Sequence, residues 1–323
     1  MGAFIISLLT SAVAMGTVFL YGCVGETIIE KGGNLNLGIP GIMCLGAFGG
    51  GIGVTIYYSI FKNLENDIWI LLILFSMIFT IIFAALGGLI YAFLTVTLKA
   101  NQNVTGLVLT TFGVGIMKFF GKGFNLVNFS KSSATFKMLF VGYDKLGWFG
   151  QLFLSYGIYV YLALILAVLV ALFLNKTKKG LFLRAVGESP QTADSQGINV
   201  TAYKYIAILV GCAIAGLGGT YYIFDRFGGQ GFTDATIDAF GWLALALVIF
   251  STWKPGIGIV GSLLFGGLYV LPYCIDISKS QIKLFAMLPY IITVLVLILT
   301  SILDAKNSQP PHALGLNYFR EER

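Results

Sequence analysis

The chain has 323 residues, of which 57% are hydrophobic and only 11% charged, and it carries a formal net charge of +6. A soluble globular domain has about 25% charged residues, so this composition excludes a water-soluble protein and places the chain in a bilayer. The 41 glycines are spread as small clusters such as "LGGLIY", "AGLGGTYY" and "LFGGLY", which suits an all-α, polytopic bundle of closely packed membrane helices.

Apolar windows long enough to span the hydrocarbon core occur, in chain order, at Phe4 to Cys23, Leu35 to Ile60, Ile68 to Val96, Val104 to Phe120, Leu152 to Leu174, Tyr205 to Phe224, Phe240 to Ser251, Ile257 to Cys274 and Leu284 to Leu303. The expected count is about 8–10 transmembrane segments. Ile68 to Val96 is long for one span and Phe240 to Ser251 is short, so glycine-broken or half-spanning helices are expected at both. The apolar N-terminus lacks a basic leader and reads as the first span, not as a cleaved signal.

The most polar interior stretch, Asn175 to Lys204, holds Lys176, Lys178, Lys179, Arg184 and Lys204. Basic loops face the cytoplasm, which puts this loop there and, four spans later, a tail with Lys306, Arg320 and Arg323 on the same side. Lys118 to Lys145, with five lysines and one aspartate, falls outside by the same count and argues the other way. The chain thus divides into a transmembrane domain, residues 1–304, containing the 175–204 loop, and a cytoplasmic tail, residues 305–323.

Several chemistries are excluded. The single histidine, His312, follows two prolines in the tail, so no buried imidazole serves as base or metal ligand. No phosphate-binding loop is present, since "GIMKFFGKG" has the wrong spacing, and there is no G-x-S-x-G nucleophile elbow. Cys23, Cys44, Cys212 and Cys274 lack paired spacing and read as buried free thiols. The centres of all nine windows lack Asp, Glu, Lys and Arg, so the ionisable midplane group of an ion-coupled carrier is missing. Bases are not interleaved with aromatics, which argues against nucleic acid as a partner.

Two stretches carry positive information. In "GLFLRAVGESPQTADSQGINV", Ser189 can cap a short amphipathic helix with Pro190 in its first turn and Gly197 at its end; it reads either as a docking helix or as a solvated loop. In "GETIIEKGGNLNLGIPGIM", Gly25 to Met43, glycines and asparagines precede an apolar run. This fits either a broken helix offering uncharged hydrogen-bonding groups to a translocation path or a turn capped by Asn34 and Asn36. Asn101, Gln102, Asn103 and Thr105 can cap the next span or meet a ligand, and Phe112, Phe240 and Trp242 can stack on a ring.

The first stretch resembles the coupling-loop motif of ABC importer permeases serving branched-chain amino acids, simple sugars and nucleosides, with Gly180, Arg184, Ala185, Gly187, Pro190, Ala193, Gly197 and Ile198 at matching places. The second resembles the nucleoside-type motif through Glu30, Gly33, Leu35, Asn36, Leu37, Gly38, Gly41 and Met43, with Lys31 and Pro40 departing from it. "VIFSTWKPGIGIVGSLLFGGL" and "ALGLNYFREER" extend the likeness over nearly the whole chain and point to the shorter of two paired permeases. The resemblance implies a permease subunit in the cytoplasmic membrane that imports nucleosides, a ribose-like sugar being the alternative and a free-standing channel, carrier or membrane enzyme the outside readings. It implies a second homologous permease, a substrate-binding lipoprotein and an ATPase with two nucleotide-binding modules, which holds the ATP and magnesium; no cofactor or metal is expected in this chain. The expected ATPase-coupling residues are Gly180, Arg184, Ala185, Gly187, Glu188, Pro190, Ala193 and Gly197. Those expected along the substrate path are Asn34, Asn36, Gly38, Gly41, Asn103, Phe112 and Trp242.

Overall fold

The computed structural model describes residues 2–61, 68–137, 140, 142–232, 236–275, 279–285, 287–302 and 309–319. Lys306, Arg320, Arg323 and the 304/305 boundary lie outside the described residues. The elements are α1 (Gly2–Lys31), α2 (Ile39–Ile60), α3 (Trp69–Ala92), α4 (Gln102–Phe120), α5 (Leu126–Lys137), α6 (Gly147–Phe153), α7 (Ile158–Lys176), α8 (Lys178–Glu188), α9 (Pro190–Ser195), α10 (Val200–Tyr221), α11 (Ile237–Phe250), α12 (Pro255–Cys274), α13 (Lys279–Phe285) and α14 (Leu288–Ile302). Among the described residues, eight helical stretches are long and apolar enough to cross a membrane, and α11 is a shorter apolar helix of 14 residues. The bundle is all-α, as the composition demands.

Three expectations change. Ile68 to Val96 is not broken at its glycines: α3 runs through Gly87 and Gly88 and continues as a π-turn, Phe93–Thr97. Those two glycines serve packing instead, taking the side chains of Leu45 and Cys212 against the backbone. The first span extends past Cys23 to Lys31, because Glu26 and Glu30 are buried against protein and need not leave the helix. Cys274 is exposed while Cys23, Cys44 and Cys212 are buried, all four as free thiols.

Helix α2 forms the centre, with almost every residue from Ile39 to Val54 buried. It is contacted by α3, α10, α4 and α11, while α1 packs on α10, α12, α11 and α7. Such approach needs missing side chains: a Cβ on Gly46 would stand 2.4 Å from the Gly216 Cα of α10. Where polar groups occur in this interior they bond across helices, Thr80 to Thr220 at 2.7 Å and Thr220 to the Gly46 carbonyl at 2.9 Å. In lipid, packing and such bonds replace the hydrophobic drive between helices.

Candidate functional site

The Gly25 to Met43 stretch is neither an open lining nor a surface turn. Helix α1 ends at Lys31, Gly33 turns the chain with φ +81°, and residues 34–36 have no regular secondary structure. The chain then runs back inward beside α1. The Asn36 amide donates to Glu26 Oε1 at 3.0 Å, and Ile39 packs near Gly22, which lies nine residues, about 13 Å, up the α1 axis from Lys31. Thus α2 starts well inside the bundle, after an entry segment without helix.

Non-helical backbone at membrane depth is tolerated only inside protein with its groups satisfied. Here the Leu35 N–H donates to Gln102 Oε1 at 2.7 Å and its carbonyl accepts from Tyr91 at 2.6 Å. Thr110 donates to the Leu37 carbonyl at 2.9 Å, and the Gly38 N–H donates to Asn36 Oδ1 at 2.9 Å. Asn36 thus braces Gly38, the residue just before α2, while Asn34, also buried, has no partner for either amide atom among the described residues. One oxygen of Glu26 is likewise unpaired, and Glu30, one turn away, accepts from the Trp253 indole N–H. Gly41 lies against the α4 backbone at Leu109 and Thr110.

The 175–204 loop folds into two helices. Thr177 caps α8 through Gly180 N at 3.0 Å, Ser189 caps α9 with Pro190 in its first turn, and Gly197 follows at φ +81°. Asn199 then caps α10. The expected cap, proline and glycine are all in place; α8, ahead of them, is the larger part and its last turn carries the key contact. A Cβ on Gly187 would stand 2.3 Å from the Lys31 carbonyl and 3.1 Å from Gly33 N. The end of α8 is thus pressed, backbone to backbone, on the turn that leads into the entry segment. Gly180 makes the same kind of approach to the end of α7 at the Phe173 carbonyl. Pro190 and Ala193 are buried, Arg184 and Ala185 half-buried, Glu188 and Gly197 exposed, and the Arg184 Nε is buried without a partner among the described residues.

Residues 309–319 close this joint. Ala313 N donates to the Gly187 carbonyl at 3.0 Å and Gly315 N to the Gly33 carbonyl at 3.3 Å. His312 N donates to Glu188 at 3.2 Å and the Tyr318 hydroxyl to Asp194 at 2.6 Å. Asn317 donates to the Lys99 carbonyl at 2.6 Å. Lys99 itself, in the α3–α4 turn, stands 5.9 Å over the Phe319 ring, and partial burial lowers its ammonium pKa. The tail's resemblance to a family pattern carries no sign of these contacts, which join residues far apart in the chain.

The expected path residues fall into separate groups. Asn34, Asn36, Gly38 and Gly41 share the entry segment. Asn103 and Phe112 lie on the exposed face of α4, away from its Gly106, Leu109 and Gly113 face, which meets the segment; Trp242 is half-buried on α11. Asn101 caps α4, whereas Gln102 reaches Leu35. Glu26, Tyr91, Thr110 and Trp253 were missed as members of the joint, since no local pattern marks them. Among the described residues no cluster of His, Cys, Asp and Glu could hold a metal.

Comparison with known proteins agrees with this architecture. Residues 7–297 match the family model described as branched-chain amino acid transport system / permease component. The nucleoside ABC transporter permease protein NupC of Lactococcus lactis is 30% identical over 95% of this chain and 94% of its own, and the guanosine ABC transporter permease protein NupQ of Bacillus subtilis is 30% identical over 93% and 92%. A putative glucose ABC transporter permease protein, TsgC13 of Haloferax volcanii, is 32% identical over 82% and 76%. With its bundle of apolar helices and its full-length likeness to such permeases, the chain is a multi-pass cell-membrane protein with a role in transport, and it belongs to the branched-chain amino acid transport system permease-component family.

Proposed function

We propose that the chain is the membrane-spanning permease subunit of an ATP-driven ABC importer that carries nucleosides, purine or pyrimidine. The observation that carries the reading is the contact between Gly187 of α8 and the Lys31–Gly33 turn, which sets a surface helix directly on the entry segment of Asn34, Asn36, Gly38 and Gly41. A partner ATPase pressing on α8 and α9 would move that segment, and with it α2, between outward and inward arrangements. In this reading residues 1–304 form the translocating domain, residues 305–323 a cytoplasmic tail, and 175–204 the coupling loop. ATP and magnesium belong to the ATPase; a second homologous permease completes the pore and an extracytoplasmic lipoprotein delivers substrate. Nucleosides are favoured over sugars because NupC and NupQ align over more than nine-tenths of both chains. A ribose-like sugar is the second reading, supported by the Haloferax relative's name.

The test is uptake of radiolabelled guanosine and adenosine in cells with and without the gene, with unlabelled ribose and nucleobases as competitors. Uptake lost with the gene and competed by nucleosides alone supports the reading. Unchanged nucleoside uptake with falling ribose uptake transfers the substrate to sugars.

A further inference from the structure

We propose that the groove between α7 and α10 is a binding site for an anionic phospholipid of the leaflet on the α8 side. The two helices each pack on α1 and leave between them a cavity of about 520 Å³. Ile28 of α1 forms its floor, Leu169 and Phe173 one wall, Ile206 and Val210 the other, and Lys179 of α8 stands at its mouth. Along α10 the lining runs from Ala202 to Ile214, about 18 Å at 1.5 Å per residue, close to half of a hydrocarbon core of about 30 Å. The groove therefore has the length of one leaflet's acyl chain.

Charge chooses the head group. Lys176, Lys178 and Lys179 are exposed together where α7 gives way to α8, and residues 166–187 contain no acidic side chain. Two of these lysines occupy the first turn of α8, where the helix dipole disfavours cations and no acidic residue offsets them. A lipid phosphate at the mouth satisfies both the lysines and the positive helix end, while its chain fills the apolar walls. A second groove of about 570 Å³, between α1, α7 and α12, is equally apolar but has no charged lining residue. It accepts chains without selecting a head group.

The test is native mass spectrometry of the full-length chain in detergent, titrated with phosphatidylglycerol or phosphatidylcholine of identical chains. Phosphatidylglycerol should bind in preference, and the combined Lys176→Gln, Lys178→Gln, Lys179→Gln variant should lose about tenfold or more of that affinity with phosphatidylcholine binding unchanged. Val210→Trp, at an exposed position of the groove wall, should weaken both. Equal binding of the two lipids by the unaltered chain, or undiminished preference in the triple variant, would overturn the proposal. Displacement of phosphatidylglycerol by glycerol phosphate alone would also overturn it, by assigning the site to a soluble anion. As an independent measurement, a photoactivatable residue at Val210 in cell membranes should yield a phospholipid adduct; a protein adduct in its place would assign the groove to a second permease.

Discussion

Trp253 donates its indole N–H to the carboxylate of Glu30, joining the turn after α11 to the last turn of α1 across 223 residues of sequence. Trp253 holds a left-handed backbone, φ +56°, which a bulky residue adopts only when its surroundings impose it, and Lys31 lies 6.0 Å over its ring. Trp253→Phe keeps an aromatic ring but leaves a buried carboxyl without its donor. It should cost about 1–3 kcal/mol, read as a lower unfolding midpoint of the detergent-purified chain. Glu30→Gln retains an acceptor and should cost less than Trp253→Phe; the reverse order would deny the bond its role.

Gly187 has no room for a side chain against Lys31 and Gly33. Gly187→Trp must lift α8 off the turn, and Arg184→Glu reverses the charge of the half-buried side chain one turn earlier. Both variants should insert normally and lose uptake, measured as nucleoside accumulation per unit of membrane-localised protein. Normal uptake in both would remove the coupling role of α8.

Neighbouring polar residues on α4 should behave differently. Gln102→Leu strands the Leu35 N–H inside protein, a loss of about 1–3 kcal/mol visible in thermal stability. Asn103→Ala, at an exposed position, should change stability by less than about 0.5 kcal/mol. If Asn103 borders the substrate path, its variant should raise the KM of uptake while abundance stays constant.

The tail contacts give a graded pair. Tyr318→Phe removes one hydrogen bond to Asp194, worth about 0.5–1.5 kcal/mol, and should reduce uptake modestly. A stop after residue 308 removes every bond from residues 309–319 to Gly33, Gly187, Glu188 and Asp194 and should abolish uptake with insertion retained. Full transport by the truncated chain would show that the α8 contact alone suffices.

What could be read in advance was local. The apolar windows located the helices, and Ser189, Pro190 and Gly197 marked α9 because caps, first-turn prolines and left-handed glycines act within a few residues. The number of glycines announced close approach but not the pairing, so the enclosure of α2 from Ile39 to Val54 by α3, α4, α10 and α11 was not visible. Glu26 looked like an acid near a span end; its burial depends on an entry segment that doubles back beside it. Basic residues were equivocal for orientation because the lysine-rich 118–145 stretch begins at the end of α4 away from Gln102 and the α8 joint, leaving both faces positively charged.

The position of residues 309–319 in the sequence gives their contacts a temporal meaning. They emerge from the ribosome after helices α1–α14, yet they fasten Gly33, which is made before α2, to Gly187. During synthesis every span can enter the bilayer while this joint is still unlatched. A product cut short before the clasp forms would pass any inspection based on insertion alone, and only an assay of assembly or transport would distinguish it from the finished subunit.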